Sequence, residues 1–187
     1  MELLWVALSG LWLMLPSLLP NSAAVIFGGG TPVDLGRSWR GKRIFGDGKT
    51  WTGLIGGISA GVSLGVILLF IAYPFDPTNF WGFGNCPDNV MIVSVLSIGS
   101  LLGDLGGSFV KRRLGIERGG KTPILDQYNF ALGSIVFALI AFPNWFIANF
   151  IEGEHVLALV VFLVAVPILH RAVNVIGYKT GKKNVPW

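Results

Sequence analysis

Long runs of apolar residues alternate with short polar segments along the whole chain. Five of these runs are long enough for a helix to cross a hydrocarbon layer, which takes about 20 mostly apolar residues. The runs cover residues 3–27, 54–73, 90–110, 128–151 and 155–175. The pattern predicts an all-α, polytopic membrane protein with five transmembrane helices in a single domain, residues 1–187.

The first predicted span contains two prolines. Pro16 and Pro20 each lack a backbone N–H, so a helix interrupted there needs polar partners for the carbonyl groups that it frees. Glu2 is the only early charge, and no basic segment precedes the apolar run, so a cleavable signal peptide is not expected. We therefore expect an integral span that is broken at the prolines.

The composition excludes a soluble domain. Hydrophobic residues make up 52% of the chain and charged residues only 13%, about half the charged share of an ordinary soluble domain. The long apolar runs also exclude a disordered chain. A single cysteine, Cys86, excludes a disulfide scaffold and a cysteine-based zinc site.

The distribution of charge gives the spans a direction. All 14 Lys and Arg lie between spans one and two, between spans three and four, or near and after the end of span five. The other loops and the N-terminus carry acidic residues instead, so the net charge is +9 on one side and −5 on the other. The positive-inside rule predicts the N-terminus outside and the C-terminus in the cytoplasm. Such basic segments are common in multi-span proteins, and their number alone identifies no function.

The first predicted cytoplasmic loop, about residues 28–53, combines glycines with cations. Its second half reads GKRIFGDGKTWTG from Gly41. Glycines let backbone N–H groups approach an anion, and Lys or Arg adds charge that binds phosphate. Residues 48–50 (GKT) end like a P-loop, but Arg43 stands where that motif has its first glycine, so this is not a Walker loop. A flexible linker is the alternative interpretation.

The third predicted span carries an ionisable residue near its end. Asp104, Ser108 and Lys111 are spaced i, i+4, i+7, which places a carboxylate, a hydroxyl and an ammonium on one helix face. A charged residue within a span costs about 2.5–3.5 kcal/mol on insertion scales and is a functional candidate by default. The alternative is a structural pair of Asp104 with Lys111 or Ser108.

A second carboxylate begins the fourth predicted span, after the second cytoplasmic loop (about residues 111–127). Asp126 lies three residues before Asn129 on the same helix face. It is either an acid favoured by the helix dipole or, with Asp104, part of a magnesium site completed by substrate phosphates. We interpret both histidines as structural, because His155 lies on the outer side and His170 is alone in the last helix.

These segments together resemble the signature of a known family. Their order is similar to the S-x-x-K-R-x-x-G-I-K-D and L-D-R-x-D motifs of the CTP-dependent cytidylyltransferases that make CDP-activated lipids. The matching positions are Asp104, Ser108, Lys111, Arg112, Gly115, Ile116, Pro123, Leu125, Asp126 and Asn129. The GKRIFG and KTWTG segments of the first loop are similar to that family's other loop, G-K-R-x-F-G and K-T-W-E-G.

The chain also departs from the bacterial-type pattern. Glu117 and Arg118 replace a Lys-Asp pair, and no His-Gly-Gly stretch precedes Leu125. Gln127 replaces an arginine, and Asn129 replaces the second aspartate. This compact form resembles the archaeal branch of the family, the CDP-archaeol synthases.

The resemblance implies a reaction and a set of site residues. The archaeal family joins CTP to unsaturated archaetidic acid, giving CDP-archaeol and diphosphate. The resemblance also implies Mg²⁺ as the cofactor. The implied partners are CTP, a membrane phospholipid and the bilayer, without nucleic acid. The implied active site lies on the cytoplasmic face of the plasma membrane. The implied catalytic residues are Asp104, Lys111 and Asp126, of which Asp104 and Asp126 hold the metal. The implied substrate-binding residues are Lys42, Arg43, Gly46, Lys49, Thr50, Ser108, Arg112, Asn129 and Asn21, the last with a helix-capping role as its alternative.

A small transporter or channel is the alternative from another class. Asp104 within a span, the prolines of the first span and the glycine-rich spans are also transporter features. However, the outer halves of the spans have few polar residues, and no inverted repeat is visible. A scaffold without chemistry would leave the Asp104–Lys111 and Lys49–Gly53 clusters unexplained.

Overall fold

Helices account for most of the computed structural model, which describes residues 2–117, 120 and 122–181. Arg118 of the family comparison therefore lies outside the described residues. The helices are α1 Glu2–Phe27, α2 Trp51–Ala72, α3 Asp88–Arg113, α4 Pro123–Ala141, α5 Pro143–Phe150 and α6 Val156–Lys179, with a 3₁₀ turn at Gly153–His155 before α6. Two short strands, β1 Ser38–Trp39 and β2 Lys42–Arg43, pair antiparallel in the first loop.

Five of the described helices are long and apolar enough to cross a membrane, which confirms the predicted all-α, five-span fold. They are α1, α2, α3, α4 and α6. The predicted fourth span, 128–151, differs from the structure: α4 begins earlier and ends at Ala141, and Pro143 begins the separate helix α5. Phe142 between them has non-helical dihedral angles, as expected for a residue before proline.

The first helix is continuous through both prolines, so the predicted break is wrong. Pro20 cannot donate to the carbonyl of Pro16. That carbonyl oxygen instead lies 3.1 Å from Ser97 Oγ of α3, and Ser100 Oγ donates to the carbonyl of Ser17 at 2.7 Å. The Ser97 hydroxyl of a neighbouring helix therefore lies within hydrogen-bond distance of the carbonyl that Pro20 frees, as the backbone of a membrane span requires.

Small residues bring the central helices close together. A Cβ added at Gly61 of α2 would lie 2.6 Å from both Pro20 and Ser97. A Cβ added at Gly103 of α3 would lie 2.2 Å from the carbonyl oxygen of Asn129 on α4. Glycine at these positions permits the close backbone approach that holds membrane helices together, and it brings the functional ends of α3 and α4 into contact.

The basic loops and the acidic loops lie at opposite ends of the bundle. Lys42 Nζ of the first loop donates to the carbonyl of Arg113 at the end of α3 (3.2 Å), so both basic loops meet at one end. Glu2, Asp76 and Glu154 line a common cavity at the other end. This separation matches the predicted charge asymmetry, and the orientation of the ends across the membrane stays a prediction.

Candidate active site

One buried carboxylate holds the first loop in shape. The side chain of Asp34 is completely buried and accepts a hydrogen bond from Arg43 Nη2 at 2.6 Å. It also accepts from the backbone N–H groups of Gly46 (2.9 Å), Phe45 (3.0 Å) and Gly36 (3.1 Å). Burial by itself raises the pKa of Asp34, but Arg43 and the three N–H groups outweigh it and hold the pKa well below its usual range.

Asp34 lies outside the motifs that predicted the site residues. A signal was present, because an aspartate two residues before a glycine is typical of a turn in which the side chain accepts from the backbone. The structure shows more than a local turn, since Asp34 also binds groups nine to twelve residues further along the chain. Asp34 therefore organises the segment that contains Arg43 and Gly46.

The predicted substrate-binding residue Arg43 forms ion pairs with carboxylates of its own loop. Its guanidinium forms ion pairs with Asp34 and with the exposed Asp47, both at 2.6 Å. Hydrogen bonds to these two carboxylates raise the pKa of Arg43. Its remaining exposed surface is 29% of the side chain, so Arg43 supports the loop in this structure and is still accessible from solvent.

An ion pair also joins the loop to the third helix. Lys49 Nζ donates to Asp104 Oδ2, and both side chains are partly buried. Asn129 Nδ2 of α4 lies 3.5 Å from the other oxygen of Asp104. Two predicted site residues, Lys49 of the first loop and Asn129 of α4, therefore lie beside Asp104 of α3.

Another ion pair joins α3 to the start of α4. Lys111 Nζ donates to Asp126 Oδ1 at 2.5 Å, and Asp126 also accepts from the backbone N–H and the hydroxyl of Thr122. The structural pair that the helix spacing suggested, Asp104 with Lys111, is not formed in the structure. Each of the two predicted metal carboxylates is instead paired with a different lysine.

The other predicted residues are placed around these pairs. Thr50 is the N-cap of α2, and its Oγ1 accepts from the N–H groups of Gly53 (3.2 Å) and Gly29 (3.1 Å). Arg112 donates to the carbonyls of Ile116 (2.5 Å) and Phe45 (3.3 Å).

Ser108 is buried on α3, and Gly46 lies beside Arg112 with a φ of +98°. Asn21 is half-buried on α1. In the part of the chain that the structure describes, neither Ser108 nor Asn21 takes part in the lysine–carboxylate pairs.

The carboxylate oxygens at this end are of the donor type that magnesium prefers, and the magnesium site itself stays a prediction. No three His, Cys, Asp or Glu side chains cluster as a metal site within residues 2–117, 120 and 122–181. A closed, all-protein metal cage is therefore not built from these residues. Asp104 and Asp126 each bind a cation of the chain, and Mg²⁺ is usually held by one or two carboxylates plus water and phosphate oxygens.

The fold and site together define a class of protein. It is a multi-span membrane protein in which lysines and carboxylates from separate elements pair at one end of the helix bundle. The family model described as CarS-like: CDP-archaeol synthase matches residues 2–187. The chain therefore belongs to the CDP-archaeol synthase family.

Individual relatives agree over nearly the full length. The chain is 46% identical over 177 residues to a CDP-archaeol synthase of Methanosphaerula palustris, and 43% identical over 179 residues to one of Methanospirillum hungatei. Both alignments cover 93% of this chain and 100% of the relative. A CDP-archaeol synthase of Picrophilus torridus is 42% identical over 189 residues, with 97% of each chain covered.

A solved structure is also similar. It is described as structural insight into an intramembrane enzyme for archaeal membrane lipids biosynthesis. Its TM-score is 0.62 at 34% sequence identity, with 84% of this chain and 90% of that chain covered. The prediction that this chain is an enzyme, a CTP-dependent cytidylyltransferase of lipid biosynthesis, is confirmed, and the transporter alternative is not supported.

Proposed function

We propose that this chain joins CTP to the phosphate of unsaturated archaetidic acid, 2,3-di-O-geranylgeranylglycerol 1-phosphate, in a Mg²⁺-dependent reaction. The products are CDP-archaeol and diphosphate, and the reaction takes place at the cytoplasmic face of the plasma membrane. Family membership supports the product. The observation that carries the proposal is the meeting of Lys49, Asp104 and Asn129 beside the Lys111–Asp126 pair at one end of the bundle.

The reaction needs no strong general base. An oxygen of the lipid phosphate attacks the α-phosphorus of CTP, and the bond from that phosphorus to the bridging oxygen breaks as diphosphate leaves. A phosphate monoester with a second pKa of about 6 is mostly dianionic at pH 7 and is already nucleophilic. The barrier lies in bringing two polyanions together, so the protein contributes mainly positioning and charge neutralisation.

The two carboxylates are the groups that would hold the metal. Asp104 and Asp126 offer the oxygen ligands that Mg²⁺ prefers. When bound with CTP, the ion neutralises phosphate charge and stabilises the leaving diphosphate. Asn129 Nδ2 faces Asp104 and orients that carboxylate in the structure.

The two lysines neutralise charge on the substrates. Lys49 and Lys111 each neutralise a carboxylate in the structure. Asp104 and Asp126 would hold the metal, and Lys49 and Lys111 would then bind phosphate oxygens in place of these carboxylates. The exchange leaves neither partner as an unpaired charge in a partly buried site, which would be strongly unfavourable.

The test is a defined reaction with purified protein in lipid vesicles. CTP, Mg²⁺ and archaetidic acid should yield diphosphate and a CDP-lipid, and ATP, GTP and UTP should not replace CTP. Chelation of divalent ions should stop the reaction. Asp104→Asn should abolish it, whereas Asp88→Asn, the same change at the opposite end of α3, should retain activity.

Each part of the proposal has its own contradicting result. Equal rates with all four nucleotides would overturn the assignment of CTP. Full activity after removal of divalent ions would overturn the metal. Product formation by Asp104→Asn at the wild-type rate would remove that carboxylate from the mechanism.

A further inference from the structure

The last residue of the third helix binds the first loop more extensively than the sequence motifs indicate. Arg113 donates to three backbone carbonyls of the hairpin formed by β1 and β2: those of Trp39, Lys42 (3.0 Å) and Arg43 (2.6 Å). Its guanidinium also lies 5.2 Å from the ring centroids of Trp39 and of Phe109, which stack on each other. Arg113 therefore connects the hairpin to α3 through both polar and aromatic contacts.

This hairpin needs an external anchor. Each strand is only two residues long, and an isolated two-stranded hairpin is marginal in water even when it is longer. The turn between the strands places Arg40 (φ +52°) and Gly41 (φ +75°) in the left-handed region. That conformation is unfavourable for a side-chain-bearing residue such as Arg40 and persists when surrounding contacts support it.

Arginine is well suited to bind several carbonyls and two aromatic rings at position 113. The flat guanidinium of arginine carries five N–H donors in a fixed fork and stacks on aromatic rings at the same time. It can therefore reach several carbonyls while it covers Trp39 and Phe109. A lysine at this position would supply the charge but a single rotatable ammonium, so it could not hold three carbonyls and a ring pair together.

Among the described residues, the other hydrogen bonds between side chains of this loop or of α3 and their partners across the contact use residues that we assign to substrate binding. Lys49 binds Asp104, Arg112 donates to the carbonyl of Phe45, and Lys42 donates to the carbonyl of Arg113. If these three cations turn to phosphates, their contacts with the protein are lost. The contacts that Arg113 makes are directed to backbone and rings, so they persist when substrate is bound.

We propose that Arg113 is a positioning residue: it docks the hairpin on the end of α3 and so presents Arg43, Gly46 and Lys49 to the nucleotide. The kinetic part of this assignment rests on the proposed function, whereas the docking itself does not. Arg113 touches no reacting atom in this scheme. It acts through the first loop, which in the proposed reaction closes over the nucleotide. The loss should therefore appear in the binding of CTP and not in the binding of the lipid.

The kinetic test compares Arg113→Met with a matched control, Arg40→Met. Arg40 also places its guanidinium over Trp39, at 5.1 Å from the ring centroid, so the control removes the same charge from the same ring. Arg113→Met should raise the KM for CTP by about tenfold or more, as expected from the loss of charge-assisted hydrogen bonds. The KM for the lipid should change less than about twofold, and Arg40→Met should resemble the wild type.

A conservative variant separates shape from charge. Arg113→Lys keeps the positive charge and should still show the raised KM for CTP, because the fork is lost. Full rescue by Arg113→Lys would overturn the proposal. So would an unchanged KM for CTP in Arg113→Met, or a fall in kcat with both KM values altered together, which is the result of a general structural defect.

A distance measurement tests the docking without any reaction. Spin labels on cysteines at Ser38 and Leu114, in full-length Cys86→Ser protein reconstituted in vesicles, report the separation of the hairpin from the end of α3; both positions are exposed. The distribution should be narrow in the parent and in Arg40→Met, and broad in Arg113→Met. An equally narrow distribution in Arg113→Met would overturn the docking role even if the chain proved to have another activity.

Discussion

The two ends of the bundle each contain a loop organised by one aspartate, and they differ in what surrounds that aspartate. At the basic end, Asp34 binds three backbone N–H groups and the guanidinium of Arg43, and its side chain is fully buried. At the other end, Asp76 binds the N–H groups of Phe80 (2.8 Å) and Trp81 (2.7 Å) and faces an open cavity. In both loops an aspartate side chain therefore accepts hydrogen bonds from backbone N–H groups, but its surroundings differ.

The contacts beyond these loops differ as well. At the acidic end, the indole of Trp12 donates to the carbonyl of Trp81 (2.8 Å), and their rings pack edge to face. At the basic end, the loop is joined to the helices by ion pairs of Lys49 and by the contacts of Arg113. Aromatic packing and a hydrogen bond to backbone therefore hold the acidic end, whereas ion pairs join the loop to the helices at the basic end.

The largest expected effect comes from breaking an ion pair at the basic end. Lys111→Met should lower the rate of CDP-lipid formation by about a hundredfold or more, the loss expected when a preorganised charge that meets the reacting phosphates is removed. Lys179→Met, which removes an exposed lysine of α6, is the control and should stay within about twofold of the wild type. Initial rates at saturating CTP and lipid measure both. Similar rates for the two variants would show that Lys111 is only structural.

The next effect compares the two organising aspartates directly. Asp34→Asn weakens the partner of Arg43 in a buried position and should raise the KM for CTP by about tenfold. Asp76→Asn should leave the kinetics unchanged, because its loop lies at the opposite end from the site. Steady-state kinetics with CTP varied gives both values. Equal effects of the two substitutions would contradict the functional difference between the ends.

Substitutions at two glycines of α3 test how closely α3 and α4 pack at the basic end. Gly103→Ala puts a Cβ 2.2 Å from the carbonyl oxygen of Asn129 and should destabilise the protein by about 1–3 kcal/mol through overpacking. Gly106 has no neighbour within 4 Å of an added Cβ, so Gly106→Ala should be neutral or stabilising by up to about 1 kcal/mol. Thermal unfolding in detergent measures the difference. A Gly103→Ala variant as stable as Gly106→Ala would contradict the close α3–α4 contact.

The smallest expected effect is that of moderate acid on the first loop. The pKa of Asp34 is lowered in the folded state, so its stabilising contribution is present above the unfolded pKa of about 3.9 and is lost only as pH falls through the lowered value. Between pH 7 and pH 5 the loop should therefore resist proteolysis equally well. Limited proteolysis after Arg37 and Arg40 measures this. Faster cleavage at pH 5 that is absent in Asp34→Asn would contradict the lowered pKa.

Local patterns predicted the number of spans and named candidate residues, but they did not predict which residues pair with one another. Helix spacing suggested Asp104 with Lys111, whereas the structure pairs Asp104 with Lys49, 55 residues earlier in the chain. The prolines of α1 indicated a break, whereas α1 is continuous and the Ser97 hydroxyl of α3 lies near the carbonyl that Pro20 frees. In both cases the deciding group lies on another element, which no local spacing can show.

The sequence by itself determined the class of protein, the number of spans and the side on which the cations gather. These properties depend on the transfer of apolar side chains and charges between water and lipid, which is a sum over nearby residues. Only the tertiary structure decided which cation neutralises which carboxylate and that Arg113 and Asp34 shape the first loop. Ion pairs and hydrogen bonds depend on distances of a few ångströms between groups far apart in the chain, and the packing of α1, α3 and α4 sets those distances.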